Sequence, residues 1–322
     1  MFKSQQGGTS MKKFAKGCLI AALSMLTIGI IILAICTFIG GTTLLSYARN
    51  EIKTNIDVED FWGRNLITWH TGETHMDFND EYPTHSGEYE DFQAALSSNI
   101  TDLNLKIGAG GCVISESSDD YFHIYSKNAE EFQYYTENHT FYVTGFEHAS
   151  FGVHSDDYNY IYLEIPKDFY FENIDIELGA GIIEADALLA TNDINMEIGA
   201  GGLVVDTLFA DMLTADIGAG NLEVNKGSVK DSDLVIGLGN MTYSGIITGD
   251  LSAECGLGNL DLYLDDNVRN HNYELECSIG NITLNKTDYS GIAHTKSIEH
   301  DADSTYMLEC DMGNINIDFK KE

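Results

Sequence analysis

Carboxylate side chains recur along this chain at a spacing that could build a cation site. Glu177, Glu197 and Asp216 lie 19 or 20 positions apart, and acidic residues return in the same phase further along the sequence. Ca²⁺ takes six to eight oxygen ligands, many of them carboxylates, so a stack of such residues is a candidate Ca²⁺ site. The column of candidate metal ligands comprises Glu177, Glu197, Asp216, Glu254, Glu276 and Glu309.

A solvated acidic face explains the same column without a metal, and the sequence favours this interpretation. The chain contains no EF-hand loop and no Gly-Gly-x-Gly-x-Asp repeat of the kind that binds Ca²⁺. It has 51 acidic and 17 basic residues and a formal charge of −34, so carboxylates are expected over much of its polar surface. We therefore expect no bound cofactor, and Ca²⁺ is the ion to test.

Residues typical of catalytic sites form no recognisable motif in this sequence. His70 and His75 flank Glu73, and His148 precedes His154, but neither pair has the His-Glu-x-x-His spacing of a zinc protease. Neither a Gly-x-Ser-x-Gly nucleophile motif nor a Cys-x-x-Cys pair occurs. We therefore expect no enzyme, and a β-solenoid enzyme acting on polysaccharide is the third alternative for the function.

A repeated glycine motif sets the phase of the carboxylate column. The segments IELGAGI, MEIGAGG, ADIGAGN and LVIGLGN follow one another at intervals of 19 or 20 residues. Apolar residues alternate with polar ones on both sides of each glycine, as Ile198, Leu203 and Val205 do around Gly201. This period of two predicts strands with one buried face. The phase glycines are Gly110, Gly181, Gly201, Gly220, Gly239, Gly258, Gly280 and Gly313.

Coils of about 19 residues with two short strands cannot bury their own apolar face, whereas a stack of such coils can. The sequence therefore predicts an all-β fold, a parallel β-solenoid with glycine corners, behind one N-terminal transmembrane helix. The phase glycines are expected to turn each corner with positive φ. Asparagines after five of them are expected to tolerate left-handed backbone and to hydrogen-bond to the next coil, as structural residues. These asparagines are Asn221, Asn240, Asn259, Asn281 and Asn314.

The cysteines beyond the N-terminal segment fall in apolar slots of the repeat. Cys112, Cys255, Cys277 and Cys310 stand where other coils have Ile or Leu, which predicts buried thiols. Stacking in sequence order would also bring Cys255 beside Cys277, at a distance that a disulfide can span, and this alternative stays open.

Departures from the repeat predict the ends of the solenoid and one insertion. Ahead of Gly181, the aromatic runs 121–125, 140–143 and 160–166 predict additional strands, partly a hairpin, that cap the N-terminal end. The polar stretch 288–305 is expected to be an insertion on one coil.

Charge and hydropathy divide the N-terminal region sharply. About 20 apolar residues in a helix span a bilayer, and lysines on one side favour a cytoplasmic location for that side. A signal peptide cleaved after Ala48 is the alternative, although its apolar core would exceed the usual ~7–15 residues. The sequence thus predicts a lysine-rich cytoplasmic tail over 1–16, an uncharged single-pass anchor over 17–48, a juxtamembrane stalk with a first irregular coil over 49–98, and an extracytoplasmic β-repeat domain over 99–322.

A family resemblance rests on two stretches of the sequence. The run Tyr-Leu-Glu-Ile-Pro-Lys-Asp at 162–168 is followed by the first regular GAG unit at 174–181 and then by the later GAG and GLG units. This combination resembles the bacterial putative-adhesin β-strand-repeat family over roughly residues 99–319. The resemblance implies a β-solenoid-like fold and a location in the cell envelope, and it brings no catalytic residues.

These features together predict a membrane-anchored, surface-displayed acidic β-solenoid that acts as an adhesin-like binding or scaffold module. Its partner would be an envelope polymer or a protein, because the strong negative charge argues against nucleic acid. The alternative is an envelope-stress signalling accessory. Since a 16-residue cytoplasmic tail is too short for an output domain, such an accessory would act through a neighbouring membrane protein.

Overall fold

Strands are the dominant element of the described structure, which also has one short 3-10 helix at Val268–Asn270. The computed structural model describes residues 78–95, 99–108, 110–145, 160–289 and 293–321. The strands are β1 (Thr84–Ala95), β2 (Asp102–Ile107), β3 (Gly111–Glu116), β4 (Tyr121–Glu137), β5 (Thr140–Gly145), β6 (Tyr160–Ile165), β7 (Asn173–Leu178), β8 (Ile182–Leu189), β9 (Asp193–Ile198), β10 (Gly202–Ile217), β11 (Asn221–Ile236), β12 (Asn240–Ile247), β13 (Leu251–Cys255), β14 (Asn259–Asn267), β15 (His271–Cys277), β16 (Asn281–Leu284), β17 (Thr287–Asp288), β18 (His294–Ile298), β19 (Ser304–Cys310) and β20 (Asn314–Lys321).

Among these residues, no helix is long and apolar enough to cross a membrane. The segment 17–48, which the sequence predicts as the anchor, lies outside the described residues. The same is true of the histidine pairs His70 with His75 and His148 with His154.

Two faces of mainly parallel strands wrap around one apolar core. On the first face the order in space is β5, β2, β7, β9, the second halves of β10 and β11, then β13, β19, β15 and β18. On the second face it is β1, β4, β6, β3, β8, the first halves of β10 and β11, then β12, β14, β20, β16 and β17. Each coil gives one strand to each face, so the predicted all-β stack of parallel coils is confirmed.

The alternation of apolar residues sets which side chains enter the core. Ile198, Leu203 and Val205 are at most 1% exposed, whereas Val204 is 36% exposed and Glu197 points to solvent. Successive side chains of a strand point to opposite faces, so the apolar phase fixes the outward phase as well. The strand phase predicted from the glycine repeat is therefore confirmed.

The glycine corners have a different cause from the one predicted. The phase glycines from Gly181 to Gly313 do not adopt positive φ, so the expectation of left-handed corners was wrong. Instead, neighbouring coils approach so closely that a side chain has no room. A Cβ atom on Gly239 would lie 2.1 Å from the carbonyl oxygen of Gly220, and one on Gly220 would lie 2.4 Å from that of Gly201.

The coils do not stack in sequence order at either end. The coil of β2 and β3 lies between that of β5 and β6 and that of β7 and β8. The coil of β19 and β20 lies between that of β13 and β14 and that of β15 and β16. Cys310 is therefore the register partner of both Cys255 and Cys277, and the predicted neighbourhood of Cys255 with Cys277 was wrong. All four cysteines of the domain are buried, as the repeat phase predicts.

Antiparallel strands close both ends of the stack. At the N-terminal end, β4 pairs with β1, β5 and β6, which confirms the predicted hairpin-containing cap. Strand β1 falls within the segment 49–98, so this part of the segment belongs to the sheet. At the other end, β17 and β18 pair with β16 and β15, and the polar insertion 288–305 therefore contributes an edge strand.

Candidate binding surface

The predicted carboxylate column exists on the outside of the first face. Its members are register partners on successive strands, about 4.8 Å apart, and they point away from the core. The order of the members in space differs from their order in the sequence at one position, because Glu309 lies between Glu254 and Glu276. Along the stack, the column reads Lys106, Glu177, Glu197, Asp216, Val235, Glu254, Glu309 and Glu276.

Electrostatics differ along this column. At its start, the Lys106 Nζ atom lies 2.9 Å from Oε2 of Glu177, an ion pair that neutralises the end of the stack. Val235 then interrupts the carboxylates. Beyond it, desolvation and the negative charges of Glu254 and Glu276 raise the pKa of Glu309. Partial desolvation likewise raises the pKa of Asp216. Repulsion between like charges therefore acts on Glu309, whereas at Asp216 the cause is desolvation alone.

No group of three or more His, Cys, Asp or Glu side chains in the described ranges has an arrangement that could hold a metal ion. The column explains this result, because each coil offers one carboxylate on an open sheet surface. Six to eight oxygens that converge on one point need a loop to wrap around the ion.

A polar groove runs beside the start of the column on the first face. Asn195 donates a hydrogen bond from Nδ2 to Oδ1 of Asp175 at 2.9 Å, and Asn104 stands next to Asp175 in the register. These amide and carboxylate groups line the groove together with Lys106, Glu177 and Glu197. They offer hydrogen-bond donors and acceptors at regular intervals to an extended ligand.

Stacked tyrosines continue this face at the N-terminal end. Tyr142 is the register partner of Asn104 and stacks on Tyr135 with ring centroids 4.7 Å apart. Tyr82 stacks on the other side of Tyr135 at 4.0 Å. The sequence patterns did not predict this aromatic row. Its signal was present in the outward phase of β4 and β5, where aromatic residues replace the polar residues of later coils.

A ladder of asparagine side chains follows the glycine corners onto the second face. Asn240 donates from Nδ2 to Oδ1 of Asn221 at 2.9 Å, Asn259 to Asn240 at 2.7 Å, and Asn314 to Asn259 at 2.8 Å. The predicted hydrogen bonds between coils are confirmed for these residues. Asn281 departs from the ladder and donates to Oγ1 of Thr283 instead. The predicted left-handed backbone was wrong, because these asparagines lie in extended strands.

Comparison with protein families decides the relationship of this chain to known proteins. Residues 100–318, more than half of the chain, match the family model described as Toastrack DUF4097. The chain belongs to the Toastrack DUF4097 family. This membership confirms the resemblance inferred from the GAG and GLG units. No curated protein matches the chain.

Solved structures of low sequence identity resemble this Toastrack domain. One is described as a putative cell adhesion protein from Clostridium sporogenes, with 16% identity and a TM-score of 0.30, and the match covers 73% of this chain and 100% of that one. Another is described as a putative adhesin from Bacteroides fragilis, with 12% identity and a TM-score of 0.33 over 73% of this chain and 96% of that one. Neither likeness carries an argument about the ligand.

Proposed function

We propose that this Toastrack chain is an adhesin-like binding scaffold, displayed outside the membrane by the apolar segment 17–48 and without catalytic activity. The observation that carries the proposal is the polar groove along the first face. There Asn104, Asp175 and Asn195 repeat the same outward position on successive strands. A rigid row of hydrogen-bonding groups suits a ligand that itself repeats, such as an envelope polymer.

The chemistry of the groove favours a glycan rich in hydroxyl and amide groups. Amide and carboxylate side chains hydrogen-bond to such groups. The stacked tyrosines at the end of the groove add a rigid aromatic surface for apolar sugar faces. The formal charge of −34 opposes the approach of an anionic polymer, so the proposed ligand is neutral or carries amino groups.

Co-sedimentation with insoluble cell-wall glycan tests this proposal on the full chain in lipid nanodiscs. We expect the wild type to sediment with the glycan and the double variant Tyr142→Ala, Asn195→Ala to bind at least several-fold less. Thr242→Ala is the matched control. Thr242 also points outward from a strand, but it lies on the second face, between Glu223 and Asp261, and not in the groove. Equal binding by the wild type and the double variant would contradict the assignment of the groove.

The anchor and the topology have a separate test. Protease added to intact cells should remove the mass beyond residue 49 and leave a small membrane fragment, because the domain would lie outside the cell. A mature N-terminus at Arg49 in the culture medium would refute the anchor and identify a secreted protein instead.

A further inference from the structure

Large apolar side chains project from the glycine corners of four adjacent coils. The residues that precede the phase glycines there are 43%, 46%, 48% and 68% exposed. Backbone hydrogen bonds between the corners fix their neighbourhood: Leu238 N to Gly218 O at 2.7 Å, Leu257 N to Gly237 O at 2.8 Å, and Met312 N to Gly256 O at 2.8 Å. In spatial order, this apolar ridge consists of Leu238, Leu257, Met312 and Ile279.

The fold itself does not require these side chains. Ala180, Ala200 and Ala219 occupy the same corner position in earlier coils and make the equivalent backbone hydrogen bonds, at 2.6–2.7 Å. A methyl group therefore suffices to turn the corner. Contiguous exposed apolar patches are uncommon on soluble domains and mark sites of interaction.

Carboxylates line one flank of the apolar ridge. Glu254, Glu309 and Glu276 are register partners and point to solvent, and their coils carry Leu257, Met312 and Ile279 respectively. Among the described residues, no lysine, arginine or histidine forms an ion pair with them. Their mutual repulsion is one cause of the raised pKa of Glu309. A cationic partner would relieve this repulsion.

We propose that the apolar ridge docks an amphipathic α-helix of a partner protein, with basic side chains of that helix facing Glu254, Glu309 and Glu276. The coils repeat every ~4.8 Å, and a helix returns an apolar side chain to the same stripe every ~5.4 Å, so the two run together over four coils with about 2 Å of drift. An extended strand repeats only every ~6.6–6.8 Å on one face and loses register sooner.

Charge favours this occupant over two others. A second copy of this chain would bring two molecules of formal charge −34 together, and an anionic lipid surface would face the carboxylate flank. The inference concerns a different edge of the domain from the glycan groove, so it does not depend on the ligand of that groove.

A direct binding experiment uses the full chain in zwitterionic lipid nanodiscs and a labelled Leu/Lys peptide of about 18 residues, roughly five helical turns. Fluorescence anisotropy is read against empty discs and against a peptide of the same composition with its apolar stripe scrambled. We expect the amphipathic peptide to bind the wild type at least tenfold more tightly than the variant with Ala at all four ridge positions. The thermal unfolding of that variant should be unchanged, since alanine is native at three other corners. Ile182→Ala is the matched control, because Ile182 is also exposed, at 49%, but begins β8 on an earlier coil that does not carry the ridge.

Changing the flank separates the apolar from the ionic contribution. The triple variant Glu254→Gln, Glu309→Gln, Glu276→Gln should weaken binding and reduce its dependence on salt. If the amphipathic peptide bound the wild type and the four-alanine variant equally well, the proposal would be overturned. Equal binding of the amphipathic and the scrambled peptide to the wild type would also overturn it, and would indicate non-specific charge attraction. Analytical ultracentrifugation tests for a second copy as the occupant. The proposal would be overturned in favour of a second copy if the wild type self-associated, the four-alanine variant did not, and neither bound the peptide.

Discussion

Asn314 donates a hydrogen bond from Nδ2 to Oδ1 of Asn259 at 2.8 Å, across 55 positions of sequence. The coil that carries Asn314 is the last in the described sequence, yet it lies within the stack rather than at its end. The asparagine ladder continues across this junction without a break. The spatial order of the coils thus departs from their order in the sequence, while the β19–β20 coil keeps the register of its neighbours on both sides.

The strand phase predicts opposite outcomes for two adjacent residues. Ile198→Asp would bury an unpaired charge and should lower the free energy of unfolding by several kcal/mol. Glu197→Lys should be tolerated, because residue 197 points to solvent between Glu177 and Asp216. Thermal unfolding of the purified chain measures both. Equal losses of stability would show that the assigned phase is wrong.

The close approach of neighbouring coils at the corners predicts that replacing one glycine by alanine destabilises the fold, whereas replacing another does not. A Cβ on Gly239 would collide with the carbonyl oxygen of Gly220, so Gly239→Ala should cost about 3 kcal/mol or more. Gly202 has open space around its Cβ position, so Gly202→Ala should stabilise its strand by ~0.5 kcal/mol. Denaturant unfolding compares the two variants. A tolerated alanine at position 239 would contradict the packing explanation.

The carboxylate column predicts a dependence of stability on pH. The pKa of Glu309 is raised in the folded state, so its ionised form costs stability above that pKa, and the cost disappears as pH falls through it. Glu309→Gln should therefore raise the melting temperature at pH 7 in low salt. Solvent screening limits the gain to under about 1 kcal/mol.

Below about pH 3, where glutamate is almost fully protonated in both states, this variant and the wild type should unfold alike. Glu223→Gln is the control, because Val204 and Thr242 flank Glu223 on the second face. An equal gain from both glutamines at pH 7 would remove the column as the cause. High salt should shrink the gain from Glu309→Gln.

Calcium provides a further test of the column. A ligand that binds only the folded state raises the melting temperature by mass action. We expect Ca²⁺ to raise it no more than monovalent salt of equal ionic strength, because each coil presents a single carboxylate on an open face. The melts compare chelator, Ca²⁺ and matched salt. A larger Ca²⁺ effect, lost on changing Glu254, Glu276 and Glu309 to glutamine, would restore the metal site.

Burial predicts unreactive thiols. Cys112 is fully enclosed, and desolvation raises its pKa to about 12, so the reactive thiolate is scarce near neutral pH. Iodoacetamide should modify Cys112 only after denaturation, as mass spectrometry of the corresponding peptide would show. Rapid alkylation of Cys112 in the native chain would contradict the placement of β3 in the core.

The sequence determined the faces of the strands but not the neighbours of the coils. Alternation around Gly201 was enough to place Ile198, Leu203 and Val205 inside, because the period of a strand is independent of its partners. Cys255, Cys277 and Cys310 share one phase, so phase cannot tell which two lie together. The apolar ridge was also missed, because its members follow the same motif as the alanines of earlier corners.

The position of the β19–β20 coil between two earlier coils has a consequence for biosynthesis. Strands β15 and β16 leave the ribosome before β19 and β20, which must finally lie between them and β13 and β14. Until then, the nascent chain exposes unpaired strand edges, which are templates for wrong pairing and aggregation. The stack can therefore be completed only after β20 has been synthesised. A chain truncated before Ser304 should be a substrate for proteolysis even though most of its coils are intact.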